Sequence, residues 1–388
     1  MPSLSDRSGS TTRSPVRDLL ALISNPEVIS FAGGLPAPEL FDLEGMRRAY
    51  DTALADAGSL QYSTTEGNQA LRDFIARRYT AQGLPTGPDD ILVTTGSQQA
   101  LSLLSLALLD PGDTVLVEGP SYLAALQAFT LAGARVVSLP LGDAGLDLDR
   151  VADLARKHRP KFLYTVPTFQ NPTGLTHDRA TRSGLVHLAE EHGFRIVEDE
   201  PYRELRYGGE PLPYLAALSA EHVITVGSFS KVMAPGLRLG WIRTRSDIHA
   251  GLVVTKQSAD LHTSTVDQAA AASYLSGGGL EPALDTIRSA YRLRRDAMLK
   301  ALPATLPAGS TWSTPEGGMF VWATLPAGQD STRHFERAIG HGVAYVPGAP
   351  FYAGEPRRDT LRLSFTTYAP ERIYEGLSRL AESFRSPV

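Results

Sequence analysis

The sequence predicts an α/β protein with a large domain, built on a mainly parallel mixed sheet flanked by helices, and a smaller α+β domain. From about residue 90 to residue 245, short β-rich segments alternate with helix-like segments. Such alternation is typical of βα units and of a parallel sheet covered by helices. The predicted strands cover residues 91–95, 114–118, 135–139, 161–166, 195–198, 223–226 and 240–244.

The C-terminal third breaks this alternation and predicts a second domain. An arginine-rich helical segment at 291–302 precedes three apolar segments at 317–322, 343–346 and 360–365. Near the other end of the chain, Ser14 and Pro15 are typical of an N-cap and a first helical position, and they predict a helix over 15–24. We therefore expect a large domain at 44–277, a small domain at 14–43 and 278–388, and a flexible tail at 1–13.

Composition excludes several classes of function. The chain has 388 residues, a net charge of -5 and no cysteine. The charge gives no basic surface for nucleic acid or an anionic membrane, and the missing cysteines exclude disulfides, thiolate catalysis and cysteine metal sites. The apolar segments are too short to cross a bilayer. We expect a cytoplasmic protein with no metal site, no membrane partner and no nucleic-acid partner.

Polar and aromatic residues follow five of the predicted strands. In an open α/β sheet the ligand crevice lies outside the carboxyl ends of the strands, so these residues are expected to meet at one site. In chain order they are Gly96-Ser97-Gln98, Tyr122, Asn171 within Asn-Pro-Thr-Gly, Asp199 with Tyr202, and the segment 228–241.

The segment S-F-S-K-V-M-A-P-G-L-R-L-G-W, residues 228–241, indicates a phosphate site beside a reactive amine. The hydroxyls of Ser228 and Ser230 and the guanidinium of Arg238 are donors that suit a phosphate dianion. A lysine held beside such a site, here Lys231, can act as a nucleophile. The alternative is a lysine in a solvated loop.

Each of the other candidates also has an ordinary structural explanation. Ser97 suits a helix cap, Asp199 suits a cap for the next segment, and Asn171 suits a turn. Tyr122 suits a core position, and Arg362 suits the solvated face of a strand. The hypothesis of one shared site therefore depends on the whole set.

Taken together, these motifs resemble those of fold-type I pyridoxal-phosphate enzymes of the class I/II aminotransferases, over nearly the whole chain. The resemblance rests on Ser-x-Ser-Lys with Pro-Gly-Leu-Arg, on Asn-Pro-Thr-Gly, on Asp-x-x-Tyr and on a late strand arginine. Segments 31–41, 60–63, 66–67, 96–100 and 259–263 are similar to the 2-aminoadipate/kynurenine aminotransferase group.

The resemblance implies a role for each residue around pyridoxal 5'-phosphate. Lys231 would bind the cofactor covalently and then move a proton between the substrate and the cofactor. Asp199 would keep the pyridine nitrogen protonated, Asn171 and Tyr202 would bind the phenolic oxygen, and Tyr122 would stack on the ring. The phosphate would be held by Ser97, Gln98, Ser228, Ser230 and Arg238, together with Tyr62 from a second subunit.

The resemblance also implies how substrate is bound. Arg362 would hold the α-carboxylate, with the backbone of Gly34 and the side chain of Asn171 close by. Arg17 would bind the distal carboxylate of acidic substrates, and the alternative for Arg17 is a helix-surface position.

We therefore expect a homodimeric aminotransferase with shared active sites. It would move an amino group between an α-amino acid, of the 2-aminoadipate, glutamate, leucine or aromatic type, and a 2-oxo acid such as 2-oxoglutarate by a ping-pong mechanism. Three alternatives stay open: an aminotransferase for an unusual amino acid, a pyridoxal-phosphate lyase, and the effector domain of a transcription regulator. A regulator of that type carries an N-terminal winged-helix domain, and about 14 residues precede the first predicted helix.

Overall fold

The computed structural model describes residues 27–142, 145–245 and 247–385. The helix predicted over 15–24, with Arg17, lies outside the described residues. The strands of the described residues are β1 (Ile29–Ser30), β2 (Ile91–Thr94), β3 (Thr114–Gly119), β4 (Arg135–Gly142), β5 (Gly145–Leu146), β6 (Phe162–Thr165), β7 (Arg195–Asp199), β8 (Val223–Ser228), β9 (Gly240–Arg243), β10 (Thr311–Trp312), β11 (Phe320–Thr324), β12 (Val343–Ala344), β13 (Val346–Pro347) and β14 (Thr360–Ser364).

A mixed sheet of eight strands forms the centre of the fold among the described residues. Its order is β2-β9-β8-β7-β6-β3-β4-β5. The pairs within β8-β7-β6-β3-β4 are parallel, whereas β9 is antiparallel to both of its neighbours and β5 is antiparallel to β4. The sheet is therefore mainly parallel, as the alternating segments predict.

Helices cover this sheet, which explains why several of its strands are buried along their whole length. Every residue of β2, β3, β6 and β8 is buried, as expected when both faces of a parallel sheet are packed. The α-helices are α1 (Leu43–Leu54), α2 (Gln69–Ala81), α3 (Gly96–Leu108), α4 (Leu123–Leu131), α5 (Leu148–His158), α6 (Arg179–His192), α7 (Asp247–Ala259), α8 (Thr265–Ser276), α9 (Leu280–Thr305), α10 (Ser331–Gly340) and α11 (Pro370–Arg385).

A second sheet lies in the C-terminal third, in the order β10-β11-β14-β13, with antiparallel pairs. Helices α9 and α11 pack against each other beside it, and β1 pairs with β12. The helical segment predicted at 291–302 lies within the longer helix α9, which already begins at Leu280. Pro282 is compatible with this earlier start, because a proline is tolerated in the first turn of a helix.

A continuous cluster of buried apolar side chains extends from Val28 to Leu380. No helix among the described residues has both the length and the apolar character needed to span a membrane.

Candidate active site

A cavity of about 200 Å³ lies at the carboxyl ends of the parallel strands. Its wall is formed by residues that follow β2, β3, β6, β7 and β8, together with residues of the second sheet and the segment after β1. The predicted meeting of five strand ends at one place is therefore observed. The lining residues are Gly34, Ser97, Tyr122, Val166, Asn171, Asp199, Pro201, Tyr202, Ser228, Ser230, Lys231, Phe320 and Arg362.

Lys231 follows β8 directly and is half-buried in this wall. Its Nζ donates to the carbonyl oxygen of Gly34 at 2.7 Å, and a Cβ at Gly34 would come within 2.8 Å of the ring of Phe320. Burial lowers the pKa of Lys231 to about 8, and the nearby cations Arg362 and Arg238 add to the effect. The amine is therefore much easier to deprotonate than an ordinary lysine.

Asp199 ends β7 with a buried carboxyl group. Its Oδ2 accepts a hydrogen bond from the hydroxyl of Tyr164 at 2.8 Å, whereas its Oδ1 is buried without a hydrogen-bond partner among the described residues. Burial raises the pKa of Asp199 to about 7, the hydrogen bond from Tyr164 opposes this rise, and the charge of Glu200 adds to it. A protonated ring nitrogen would supply both the donor and the charge that Oδ1 lacks.

A chain of hydrogen bonds joins Tyr202, Asn171 and Arg362 along one wall. Asn171 Nδ2 donates to the Tyr202 hydroxyl at 3.2 Å, and Arg362 donates to Asn171 Oδ1 at 2.7 Å. Arg362 also donates to the carbonyl oxygen of Ala32 at 2.7 Å. The three side chains therefore fix one another's orientation.

Buried side chains hold the loop that carries Asn171. Gln170 donates to a carboxylate oxygen of Glu118 at 3.0 Å and to the carbonyl oxygen of Pro120 at 2.7 Å. The side-chain oxygen Oε1 of Gln170 accepts hydrogen bonds from the backbone N–H and the hydroxyl of Thr173. Asn171 is thus presented by a fixed turn.

Arg362 is buried, with 4% of its surface exposed. Both of its acceptors are neutral, and its Nε has no hydrogen-bond partner among the described residues. The guanidinium carbon lies 4.2 Å from the ring centroid of Phe320 and 5.1 Å from that of Phe351. Burial lowers the pKa of Arg362 to about 10, and an incoming carboxylate would compensate for that burial. Its strand, β14, is buried along its whole length, so the alternative of a solvated strand face is wrong.

Donors for an anion gather at the start of α3. Gly96 has a φ of +75°, and a Cβ at this position would come within 2.6 Å of a guanidinium nitrogen of Arg238. The helix has no side-chain cap, so its first amides and its dipole are available to an anion. Ser228 and Ser230 also line the cavity, and Ser228 Oγ donates to Ser230 Oγ at 2.9 Å.

Three predicted cofactor residues do not line the cavity. The side chains of Gln98 and Arg238 are exposed, although a guanidinium nitrogen of Arg238 lies 2.6 Å from where a Cβ on Gly96 would be. Tyr62 is 79% exposed, and its ring lies edge-on to His262 with the centroids 5.8 Å apart.

Three lining residues, and one residue behind the wall, were not predicted from the sequence. Val166, Pro201 and Phe320 lie beside recognisable motifs, and proximity to the motif was the available signal. Tyr164 lies behind the wall and contacts Asp199. It is one aromatic residue within an apolar strand, and nothing in such a strand distinguishes a core tyrosine from one bound to a carboxylate.

The cavity fits pyridoxal 5'-phosphate. Asp199 Oδ1 lacks a partner that a ring nitrogen would supply, Lys231 has an easily deprotonated amine, and the α3 terminus with Arg238 suits a phosphate. Ser97, Ser228 and Ser230 add hydroxyl donors along the same wall.

Comparisons with known proteins agree with this fit. The sequence profile of aminotransferase class I and II matches residues 32–380. The chain is 44% identical to aromatic-amino-acid aminotransferase 1 of Thermococcus litoralis, over 97% of this chain and 92% of that protein. It is 43% identical to 2-aminoadipate transaminase of Thermus thermophilus, over 97% and 95%.

A solved structure gives the same result. The crystal structure of Pyrococcus horikoshii kynurenine aminotransferase, in complex with PMP and with KYN and KYA as substrates and products, superposes with a TM-score of 0.94 at 43% identity. The alignment covers 98% of this chain and 96% of that one. The fold is that of the fold-type I aminotransferases, and the chain belongs to the class I and II aminotransferases, as an enzyme that depends on pyridoxal phosphate.

Proposed function

We propose that this cavity transfers the amino group of an acidic, aromatic or leucine-like α-amino acid to a 2-oxo acid such as 2-oxoglutarate. The observation that carries the proposal is the buried guanidinium of Arg362, whose two acceptors are neutral. A substrate α-carboxylate would supply the charge that balances it, because arginine binds carboxylates through two parallel hydrogen bonds.

Lys231 is the proposed catalytic base and acid. Bound pyridoxal phosphate supplies a carbonyl that bonds to amines and a ring that delocalises the electron pair of the substrate α-carbon. With a pKa of about 8, the amine of Lys231 can both accept and return a proton near neutral pH, which is the requirement for general acid–base catalysis. Gly34 holds that amine through its carbonyl oxygen.

The remaining side chains bind and orient. Asp199 would pair through Oδ1 with the ring nitrogen, and Tyr122 would cover the ring. Asn171 and Tyr202 would bind the phenolic oxygen, and their mutual hydrogen bond sets the spacing of the two donors. Ser97, Ser228, Ser230 and Arg238, with the amide of Gln98 at the start of α3, would hold the phosphate.

The proposed substrate range follows the names of the relatives and the resemblance of the sequence around Arg17 to that of enzymes for acidic substrates. The relatives are named for aromatic amino acids, 2-aminoadipate and kynurenine, which share an α-carboxylate and differ at the far end. We propose that Arg17 supplies the second cation for acidic substrates. We also retain the division into a large domain at 44–277 and a small domain at 14–43 and 278–388.

A homodimer with shared active sites is proposed from Tyr62. This tyrosine is largely exposed and lies outside the cavity of its own chain, so it is available to the phosphate of a second copy. In a mixed dimer of Tyr62→Phe and Lys231→Ala subunits, one site would carry both defects and the other neither. Mixing the two impaired proteins should restore activity, and exchange of subunits without recovery would contradict the shared site.

A half-reaction screen tests the proposed function. The purified enzyme is mixed with single amino acids, and conversion of its visible absorption to that of the pyridoxamine form is recorded together with the 2-oxo acid released. We expect 2-aminoadipate, glutamate or aromatic amino acids to convert the unsubstituted enzyme, and we expect no amino acid to convert Lys231→Ala. Release of carbon dioxide or ammonia in place of the 2-oxo acid would contradict amino transfer.

A further inference from the structure

We infer that Tyr164 is a positioning residue for the reaction: it holds Oδ2 of Asp199 and keeps Oδ1 free for the ring nitrogen of the cofactor. The inference rests on the proposed role of Asp199 and adds to it a residue from the neighbouring strand. Its basis is the asymmetry of the carboxylate, with one oxygen hydrogen-bonded to Tyr164 and the other buried without a partner among the described residues.

The sheet register brings the two groups together. Tyr164 on β6 is paired with Val197 on β7, and residues two apart on a strand share a face. Asp199 therefore lies on the same face as Val197, two residues further toward the carboxyl end of the sheet. A tyrosine is long enough to reach from its own position to that end, which a residue with a short side chain at 164 would not do.

The ring of Tyr164 is fixed by its packing. Its side chain is fully buried, and the ring of Phe129 lies edge-on to it with the centroids 5.5 Å apart and the planes at 69°. This packing holds the hydroxyl 2.8 Å from Asp199 Oδ2. The hydrogen bond therefore sets the rotation of the carboxylate as well as satisfying one oxygen.

The chemistry of the pair gives the hydrogen bond one direction. Burial and the charge of Asp199 raise the pKa of Tyr164 well above its ordinary value, so the hydroxyl stays protonated and is the donor of the hydrogen bond. A donated hydrogen bond favours the ionised carboxylate, which is the form that a protonated ring nitrogen needs. Tyr164 thus opposes the effect of burial on Asp199.

The test is binding of pyridoxamine 5'-phosphate to the full chain freed of cofactor, measured by calorimetry at pH 7. Pyridoxamine phosphate forms no covalent bond to Lys231, so its affinity reports the noncovalent site. We expect Tyr164→Phe to bind it about tenfold more weakly, since a hydrogen bond to a charged group is worth about tenfold or more in an equilibrium. The 1-deaza analogue, which lacks the ring nitrogen, should bind equally to both proteins.

Tyr345→Phe is the matched control, because Tyr345 is also a buried tyrosine whose hydroxyl donates, there to the carbonyl oxygen of Ser331 at 2.6 Å. It should leave the affinity for both ligands unchanged. A loss in Tyr164→Phe that is equal for the pyridine ligand and its deaza analogue would show a general disturbance of the pocket and would overturn the inference.

A double-mutant cycle separates this inference from the proposed function. In the Asp199→Asn background, Tyr164→Phe should change the affinity for pyridoxamine phosphate less than twofold, because the carboxylate through which it acts is gone. If Asp199→Asn weakens pyridine-selective binding but Tyr164→Phe does not, the inference alone is wrong. If Asp199→Asn has no pyridine-selective effect, the proposed role of Asp199 fails and the inference fails with it.

Discussion

Replacing Arg362 by lysine tests how the cavity binds an α-carboxylate. Lysine keeps the positive charge and loses the planar fork. In the structure two terminal donors of the fork are used by Asn171 Oδ1 and the Ala32 carbonyl, each at 2.7 Å, and Nε has no partner among the described residues. The substitution therefore removes the paired donors and also releases Asn171.

The expected loss follows from one charge-assisted hydrogen bond. Such a bond contributes about 1.5–3 kcal/mol, so Arg362→Lys should lower kcat/KM by about 10- to 150-fold. Arg362→Gln removes the charge as well and should cost about 10²- to 10⁴-fold, if two such bonds are lost.

The assay is the single-turnover half-reaction with phenylalanine and with phenethylamine, which lacks the carboxylate. The expected result is a much larger loss with phenylalanine than with phenethylamine, because the release of Asn171 affects both substrates alike and the lost fork affects only the carboxylate. Arg243→Lys is the protein control, because Arg243 is fully buried on β9 and donates to Thr86 and Pro85, outside the cavity lining. An equal loss for both substrates, or none for phenylalanine, would refute the assignment of Arg362.

Three further predictions concern charge. The rate at which cofactor-free protein reacts covalently with pyridoxal phosphate should rise with pH, with the midpoint of the rise near 8, the lowered pKa of Lys231. Arg362→Gln should move that midpoint upward, because it removes a nearby cation. A midpoint near 10 in the unsubstituted protein would contradict this. Burial raises the pKa of Asp199 to about 7, so the folded protein keeps a proton that the unfolded chain releases above about pH 4, and the stability that this group contributes is lost as pH rises from 4 to 7. In denaturant titrations without cofactor, the free energy of unfolding of Asp199→Asn should therefore rise relative to that of the parent by on the order of a few kcal/mol over that range. Parallel pH profiles for the two proteins would refute this. Arg17→Ala should lower kcat/KM about 10- to 150-fold for 2-aminoadipate and little for leucine, and equal losses would indicate a structural role.

The strand ends show what can be predicted from the sequence. Apolar segments bounded by glycine, proline and polar residues marked the ends of β2, β3, β6, β7 and β8 to within two residues. Because parallel strands end at one edge, the residues after them were expected to meet, and they line one cavity. This part of the site follows from local patterns and a topological rule.

Contacts that depend on register could not be predicted in this way. The bond from Tyr164 to Asp199 requires that β6 and β7 be neighbours with Tyr164 opposite Val197, and Phe320 reaches Arg362 across the second sheet. The reversed direction of β9 was also not evident, since its sequence is as apolar as that of a parallel strand. These features depend on how the elements pack, which single segments do not encode.

Identifying the lysine that binds the cofactor tests the central claim most directly. The chain has five lysines, and one alternative to Lys231 is Lys256, which is fully buried and paired with Asp260 at 2.8 Å. Reduction of the holoenzyme with borohydride, followed by mass spectrometry of its peptides, should find the pyridoxyl group on Lys231. Prior addition of 2-aminoadipate should prevent that labelling and release 2-oxoadipate in an amount equal to the pyridoxamine form. A label on any other lysine, or an Lys231 label that no amino acid displaces, would contradict amino transfer at this cavity.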